Sequence, residues 1–263
     1  MELCIEKLNF EYASKFAITD VSASFKEQFT AIIGPNGSGK STLLKCLTNQ
    51  LKWKGGMYCD GRNVRRSDKD FFRTNLSYLP QTTQVSASVT VFEMVLMGLI
   101  SELSMFVTRR QERQVEDVMN MLELGVIAHQ NIGELSGGQL QMVLLAQAII
   151  KKPKVLLLDE PLNNLDVHRK FALLGCIARL TKENNIVTVV VMHDINLASR
   201  YADSVLIMRE GEVYFQGAPK EAITKEALRD VYRVESEIFS SKEGHPVVEF
   251  VGITQDVSCV SAV

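Results

Sequence analysis

The sequence of 263 residues has no apolar run long enough to cross a membrane. Its longest apolar runs, such as Val155–Leu158 and Ile186–Met192, have the length of buried strands, whereas a membrane helix needs about 20 apolar residues. The first residues, Met1–Lys7, carry acidic charge and no long apolar core, so a secretory signal is not expected. We therefore expect any membrane role to depend on a partner chain.

Clustered cysteines and a basic excess are also missing. The five cysteines are scattered and form no CxxC pair or Cys/His cluster, so we expect neither a disulfide nor a zinc site, and a reducing cytosol fits best. The formal net charge of −2 argues against a general nucleic-acid binder, which usually carries a positive excess. With 46% hydrophobic and 23% charged residues, the composition is that of an ordinary globular protein.

A glycine-rich stretch follows the apolar run Phe29–Ile33 and precedes an apolar helical pattern. The order of strand, glycine-rich turn and helix is that of a phosphate-binding P-loop. Glycines let the backbone approach an anion, and the N–H groups at a helix start attract it. The predicted phosphate-binding residues are Gly34, Pro35, Asn36, Gly37, Ser38, Gly39, Lys40, Ser41 and Thr42.

Within this loop, Lys40 is placed for the β- and γ-phosphates of a nucleoside triphosphate, and the Ser41 hydroxyl for Mg²⁺. The alternative is a glycine-rich turn that binds nothing.

The apolar patterns predict an α/β fold. Strands before the glycine-rich loop alternate in polarity, which favours an antiparallel sheet, whereas later aliphatic strands suit a buried parallel sheet. A helical insertion separates the two groups. Predicted strands are Leu3–Phe10, Ile18–Phe25, Phe29–Ile33, Leu76–Leu79, Val155–Leu158, Ile186–Met192, Val205–Met208 and Val213–Gln216. Predicted helices are Val91–Leu99, Arg109–Leu124 and Glu221–Val231, and the tail from Glu235 onwards is weakly patterned.

Two acidic residues, Asp159 and Glu160, follow the buried strand Val155–Leu158. The carboxyl ends of parallel strands meet at one end of a sheet, so these side chains are expected beside the glycine-rich loop. Asp159 then suits Mg²⁺, directly or through water, because hard cations prefer carboxylate oxygens. Glu160 suits a general base that polarises the attacking water. Without the loop, both would be solvated acids at a strand end.

The stretch Leu135–Gln139, which reads Leu-Ser-Gly-Gly-Gln, is a capped helix start or a second phosphate-facing helix N-terminus. At this point the sequence resembles the ATP-binding cassette (ABC) ATPases, whose signature it matches. The resemblance covers nearly the whole chain. In the order of the family, the matched residues are Tyr12 (adenine stacking), Gly34–Thr42 (Walker A), Gln81 (Q-loop), Leu135–Gln139 (signature), Leu156–Glu160 (Walker B), Asn163–Asp166 (D-loop) and His193 (switch).

The resemblance implies ATP and Mg²⁺ as cofactors and a head-to-tail homodimer with ATP between the subunits. Glu160, His193 and Gln81 would be catalytic, and Ser41, Gln81 and Asp159 would serve Mg²⁺. The residues that would act on the ATP of the partner subunit are Ser136, Gly137, Gly138, Gln139 and Asp166. From the residues alone, Tyr12 is also compatible with a solvated strand-end tyrosine and His193 with a core histidine.

The family fold is a P-loop NTPase (RecA-like) core with a parallel sheet, an antiparallel β subdomain and an inserted α-helical subdomain. The implied divisions are 1–88 (antiparallel β subdomain and Walker A core), about 89–145 (helical subdomain), 146–235 (Walker B core) and 236–263 (C-terminal tail). Integral membrane permease subunits would dock near Gln81 and the 89–99 helix, with a substrate-binding protein as an indirect partner. The chain would then lie peripherally on the cytoplasmic face of the inner membrane.

Within the family, the sequence looks like the ATPases of ferric-siderophore, haem and cobalamin importers. The similarity is carried by residues 160–166, 192–198, 217–219 and the tail through 245–246. Leu99, Met142 and Gln28–Phe29 depart from the usual pattern of that group. We expect uptake of an iron(III)-siderophore-type substrate, with zinc, manganese, haem or cobalamin as alternatives.

A different class, a soluble ABC ATPase in translation or repair, is disfavoured. The chain has one cassette, no long heptads and no cysteine cluster.

Overall fold

A computed structural model describes residues 1–13, 15–81, 88–100, 106–163 and 165–254, with only the backbone of residues 15 and 16. The strands in these ranges are β1 (Leu3–Tyr12), β2 (Lys15–Phe25), β3 (Phe29–Ile33), β4 (Lys54–Cys59), β5 (Arg62–Asn63), β6 (Leu76–Leu79), β7 (Val155–Asp159), β8 (Val187–Val191), β9 (Ser204–Arg209), β10 (Glu212–Gly217), β11 (Val234–Ser240) and β12 (Pro246–Ile253). The α-helices are α1 (Lys40–Leu47), α2 (Lys69–Asn75), α3 (Val91–Leu96), α4 (Arg109–Met121), α5 (Gly137–Ile149), α6 (Val167–Asn184), α7 (Ile195–Tyr201), α8 (Pro219–Ala222) and α9 (Lys225–Tyr232).

A six-stranded sheet with the order β10-β9-β3-β8-β7-β6 forms the centre of the fold. Neighbouring strands from β9 to β6 are parallel, and β10 pairs antiparallel with β9 at one edge. Every residue of β3, β7 and β8 is buried, as the aliphatic runs predict. Because β3 and β7 point the same way, the glycine-rich loop and the acidic pair leave the sheet at the same end.

The antiparallel sheet, with the order β2-β1-β4-β5, packs over helix α1. Leu43, Leu44 and Leu47 of α1 share one buried cluster with Leu3 of β1 and Leu157 of β7. The helix that begins at the glycine-rich loop is thus enclosed by both sheets. Apolar burial stabilises the helix there, and the close packing of the side chains fixes its position.

The helical insertion is confirmed, and α3, α4 and α5 pack against one another. A capping box opens each of them, at Thr90, Thr108 and Ser136. The predicted helix Val91–Leu99 is α-helical only to Leu96 and then tightens into a 3₁₀ turn. No helix within the described ranges is both long and apolar enough to cross a bilayer.

One helix end in this region differs from the expected one. Helix α4 ends at Met121 rather than Leu124, because Glu123 has a left-handed φ of 57° that stops the helix. Helix α5 spans Gly137–Ile149, and the division expected at about residue 145 stays a prediction.

The C-terminal part differs most from the expectation. The predicted helix Glu221–Val231 is two helices, since Thr224 caps α9 by accepting a hydrogen bond from the Ala227 N–H at 3.1 Å. The tail from Glu235 forms the β11–β12 hairpin, and Asn196 of α7 bonds both the N–H and the carbonyl of Val248, at 2.7 and 3.0 Å. Helix α2 was also not predicted. Residues 255–263 of the expected tail lie outside the described residues.

Candidate active site

The glycine-rich loop joins β3 to α1 in a conformation that requires glycine at two of its positions. Gly39 has a φ of 98°, and a Cβ there would lie 2.7 Å from the carbonyl oxygen of Ala17. A Cβ on Gly34 would collide with the carbonyl oxygen of Met208. The loop is thus pressed against β2 and β9, which keeps its backbone N–H groups at the start of α1.

Lys40, the first residue of α1, is 5% exposed. Its ammonium donates to the carbonyl oxygens of Gly34 at 2.7 Å and Pro35 at 2.8 Å, across the loop. Burial lowers the pKa of Lys40, and the carboxylates of Glu160 and Asp159 oppose that shift. The lysine therefore carries its charge into a buried site that also contains two acids.

Asp159 ends strand β7 and is 2% exposed. The Ser41 hydroxyl donates to its Oδ1 at 2.8 Å, and the Tyr78 hydroxyl donates to its Oδ2 at 3.3 Å. Burial raises the pKa of Asp159, and these two hydrogen bonds act in the opposite direction. Ser41 and Asp159 are thus in contact, and their joint role in binding Mg²⁺ stays a prediction.

Glu160 follows in a left-handed backbone conformation, with φ of 51°. Its Oε1 lies 2.7 Å from Nε2 of His193, and its Oε2 accepts from Nε2 of Gln81 at 2.7 Å and from Nδ2 of Asn163 at 2.6 Å. The structure therefore brings together the three residues predicted to be catalytic. Gln81 contacts the acid rather than Asp159 or Ser41, so its predicted contact with Mg²⁺ stays a prediction.

The oxygen atoms at this end of the sheet suit Mg²⁺. Among the described residues, no group of three or more His, Cys, Asp or Glu side chains is arranged so that it could hold a metal ion. Mg²⁺ is usually held by one or two carboxylates together with substrate phosphates and water. Ser41 and Asp159 provide that partial set beside the loop.

A cleft of about 180 Å³ lies over the loop, and Glu160 forms part of its wall. Its other lining residues are Ala17, Asn36, Gly37, Gly39, Lys40, Ser41 and Thr42. Ser38, another residue of the loop, is buried. Tyr12, at the end of β1, is 47% exposed with its ring edge-on to Phe10 at 4.7 Å. Nearly half of this side chain is open to solvent, and its stacking on adenine stays a prediction.

The signature residues lie elsewhere in the chain. Ser136 caps α5 by accepting from the Gln139 N–H at 3.3 Å, and the Arg169 side chain covers Gly138 closely. Gly138 and Gln139 line a separate cavity of about 390 Å³, whereas Gly137 has open space around it. Asp166 caps α6 and pairs with Arg169 at 3.4 Å. Asn164 of the predicted D-loop lies outside the described residues.

The family model described as ABC transporter matches residues 18–163, more than half of the chain. This protein belongs to the ABC transporter family. The family predicted from the sequence is thereby confirmed, and the chain is an ATPase subunit of the ABC type.

Individual relatives agree with this assignment. An uncharacterized ABC transporter ATP-binding protein of Methanocaldococcus jannaschii is 35% identical over 254 residues, covering 96% of this chain and 99% of the relative. The ferric enterobactin transport ATP-binding protein FepC of Escherichia coli is 32% identical over 254 residues, covering 95% and 94%. A solved dimeric bacterial ABC transporter cassette has a TM-score of 0.72 at 26% identity, covering 82% of this chain and 98% of that one.

Sequence reasoning missed two residues of this ABC ATPase site. The sequence predicts Tyr78 only as part of a strand, yet its hydroxyl donates to Asp159. The sequence places Asn163 only in the D-loop, yet its amide contacts Glu160. The spacing of three residues between Glu160 and Asn163, typical of a turn, was the one available signal for the second contact.

Asp159→Asn should raise the stability of the ligand-free protein near neutral pH. The folded protein holds a proton at Asp159 more readily than the unfolded chain does, because burial raises its pKa. The buried carboxylate therefore costs stability at high pH, and this cost fades as the pH falls. We expect Tm without nucleotide and Mg²⁺ to rise by about 2 °C or more at pH 7, with a smaller difference at lower pH.

The matched control is Asp70→Asn on α2, where the carboxylate is exposed and Tm should stay nearly constant. A lower Tm for Asp159→Asn at neutral pH would contradict the idea that burial of this charge is costly.

Proposed function

We propose that this chain is the ATP-hydrolysing subunit of an ABC importer and works as a homodimer on a membrane permease. The observation that carries the proposal is the meeting of Glu160 with Gln81 and His193 at the cleft lined by the glycine-rich loop. These three residues come from the ends of different strands of one sheet. Such convergence on one buried carboxylate suits a general base for the attack of water on a γ-phosphate.

The residues of the cleft would have different roles, according to their chemistry. Lys40 and the N–H groups of residues 34–42 would hold the β- and γ-phosphates, and Tyr12 would stack on the adenine. Ser41 and Asp159 would hold Mg²⁺, which neutralises phosphate charge when bound, with Gln81 as a further contact. Glu160 would accept the proton of the attacking water, and His193 would stabilise the negative charge of the γ-phosphate.

A second copy of the chain would complete the site. Gly138 and Gln139 line a cavity separate from the loop cleft, so the signature does not form a wall of the cleft in its own chain. A capped helix N-terminus with two glycines attracts anions. We infer that Ser136, Gly137, Gly138 and Gln139, with Asp166, act on the ATP of the partner subunit. The dimeric state of a solved cassette relative supports this arrangement.

The surface around the 3₁₀ turn at residues 97–99 supports permease docking near Gln81. A groove of about 360 Å³ runs between the edge strand β6 and helix α5, and Leu79, Pro80 and Met97 line it. Met97 is 43% exposed and Ile100 is 67% exposed. Apolar side chains around a groove need a partner to cover them. With a permease there, the chain would lie on the cytoplasmic face of the inner membrane.

The substrate proposal rests on relatives. The Escherichia coli relative is named for ferric enterobactin transport, and further relatives from Bacillus subtilis are named for petrobactin and iron(3+)-hydroxamate import. We infer that this chain energises uptake of an iron(III)-siderophore-type substrate. Selection of that substrate would lie in the permease and in a substrate-binding protein, which this chain would contact only indirectly.

Deletion of the gene should slow growth when a ferric siderophore is the only iron source, and should leave growth on ferrous iron unchanged. Growth curves on defined iron sources measure this, with zinc- or manganese-limited, haem-dependent and cobalamin-dependent media as parallel arms. A defect confined to one of those arms would replace the siderophore with that substrate. If the protein stays soluble when its permease is co-expressed, the transport proposal fails and a soluble ABC ATPase is favoured.

Glu160→Gln should bind ATP and form a stable dimer while kcat falls by at least about 100-fold, because the amide cannot take a proton from water. Size exclusion with ATP and steady-state phosphate release measure the two effects. Glu210→Gln is the matched control, since Glu210 has the same left-handed φ of 51° in an exposed turn. Steady-state hydrolysis retained by Glu160→Gln would remove Glu160 from the role of base.

Ser136→Arg should abolish hydrolysis yet leave ATP binding to the monomer nearly unchanged, since the signature acts on the partner's nucleotide. Thr108→Arg is the matched control because Thr108 opens α4 with the same capping box. Both variants lose a cap, worth about 1 kcal/mol, so a difference between them reports the site rather than the helix. Loss of ATP binding by the Ser136→Arg monomer would place Ser136 at the ATP of its own chain.

A further inference from the structure

Asn163 is joined to Glu160 twice, through the backbone and through its side chain. The Asn163 N–H donates to the carbonyl oxygen of Glu160 at 3.3 Å, closing a turn, and its Nδ2 donates to Oε2 of Glu160 at 2.6 Å. Both contacts lie within three residues of chain. Gln81 and His193 reach the same carboxylate from the ends of other strands.

The two carboxylate oxygens of Glu160 have different hydrogen-bond partners. Oε2 accepts from two amides, those of Gln81 and Asn163, whereas Oε1 faces Nε2 of His193. A carboxylate oxygen has two lone pairs. The two amides therefore fill Oε2, and the remaining acceptor position for a water molecule is on Oε1.

We propose that Asn163 is a positioning residue for the general base, holding Oε2 of Glu160 so that Oε1 receives the proton of the attacking water. The proposal rests on the proposed function of Glu160. A glutamate side chain turns about three bonds, and a base acts only when it is within hydrogen-bond reach of the proton. The amide of Asn163 restricts this rotation by holding Oε2, the oxygen that does not face the attacking water.

The position of Asn163 also makes it independent of Gln81. The side chain of Gln81 comes from the end of another strand, and its amide oxygen is also proposed to contact Mg²⁺. Asn163 belongs to the same turn as Glu160, so its amide is held beside Oε2 by the local backbone rather than by the packing of the sheet. We therefore expect that loss of the Asn163 amide slows the chemical step and leaves the affinity for nucleotide nearly unchanged.

The test compares Asn163→Leu, which has similar size but no donor, with wild type. The expected result is a kcat at least tenfold lower, with KM for ATP and the Kd of a fluorescent ATP analogue changed less than threefold. Asn163→Asp, which places a second carboxylate against Oε2, should lose more activity than Asn163→Leu. Asn63→Leu, at an exposed asparagine of β5, is the matched control and should keep the wild-type kcat.

Asn163→Ala removes the amide with less bulk and is measured in parallel, so a folding defect of the leucine variant does not decide the result. Wild-type kcat in a folded variant without the amide would overturn the proposal, as would a loss confined to KM. Glu160→Gln in the same assay separates the two ideas. If it keeps its turnover, the base itself is wrong; if it loses turnover while the Asn163 variants do not, only the role of Asn163 is wrong.

Discussion

The site depends on one constraint, the burial of charged groups at the carboxyl end of a parallel sheet. Asp159, Glu160 and Lys40 are each at most 9% exposed, and an unpaired charge in such a place is strongly unfavourable. Each is therefore surrounded by specific partners: hydroxyls at Asp159, amides and an imidazole at Glu160, and loop carbonyls at Lys40. The same burial that makes these groups costly also makes them responsive to an added phosphate or cation.

The two sheets and the helical insertion keep this arrangement in place by different means. Apolar packing encloses α1 between the sheets, and tight backbone approaches fix the glycine-rich loop against β2 and β9. The signature helix α5 starts from its own capping box and borders another cavity. The chain thus carries two separate glycine-containing helix N-termini, which the proposed homodimer would bring into one site.

Much of the fold was predictable because its signals are local. Continuous aliphatic runs indicated the buried strands β7 and β8, and the glycine-rich turn indicated where a helix begins at a phosphate site. The side chains that contact the two acids were harder to predict from the sequence. Tyr78 contacts Asp159 across 81 positions, and His193 reaches Glu160 only because their strands are neighbours in the sheet. A local helix cap also made one prediction wrong, because Thr224 starts a new helix inside the expected one. The β11–β12 hairpin makes a tertiary contact with Asn196, which no pattern in the tail reveals.

The left-handed backbone of Glu160 has a consequence for how such a chain changes over generations. Glycine is the residue that adopts a φ near 51° without strain, so at this position the backbone favours a residue that has no carboxylate. Replacement by glycine would relieve this backbone strain and would remove the carboxylate that is proposed as the base. A library screened only for heat tolerance could therefore retain variants without that base, so it needs a second, functional filter.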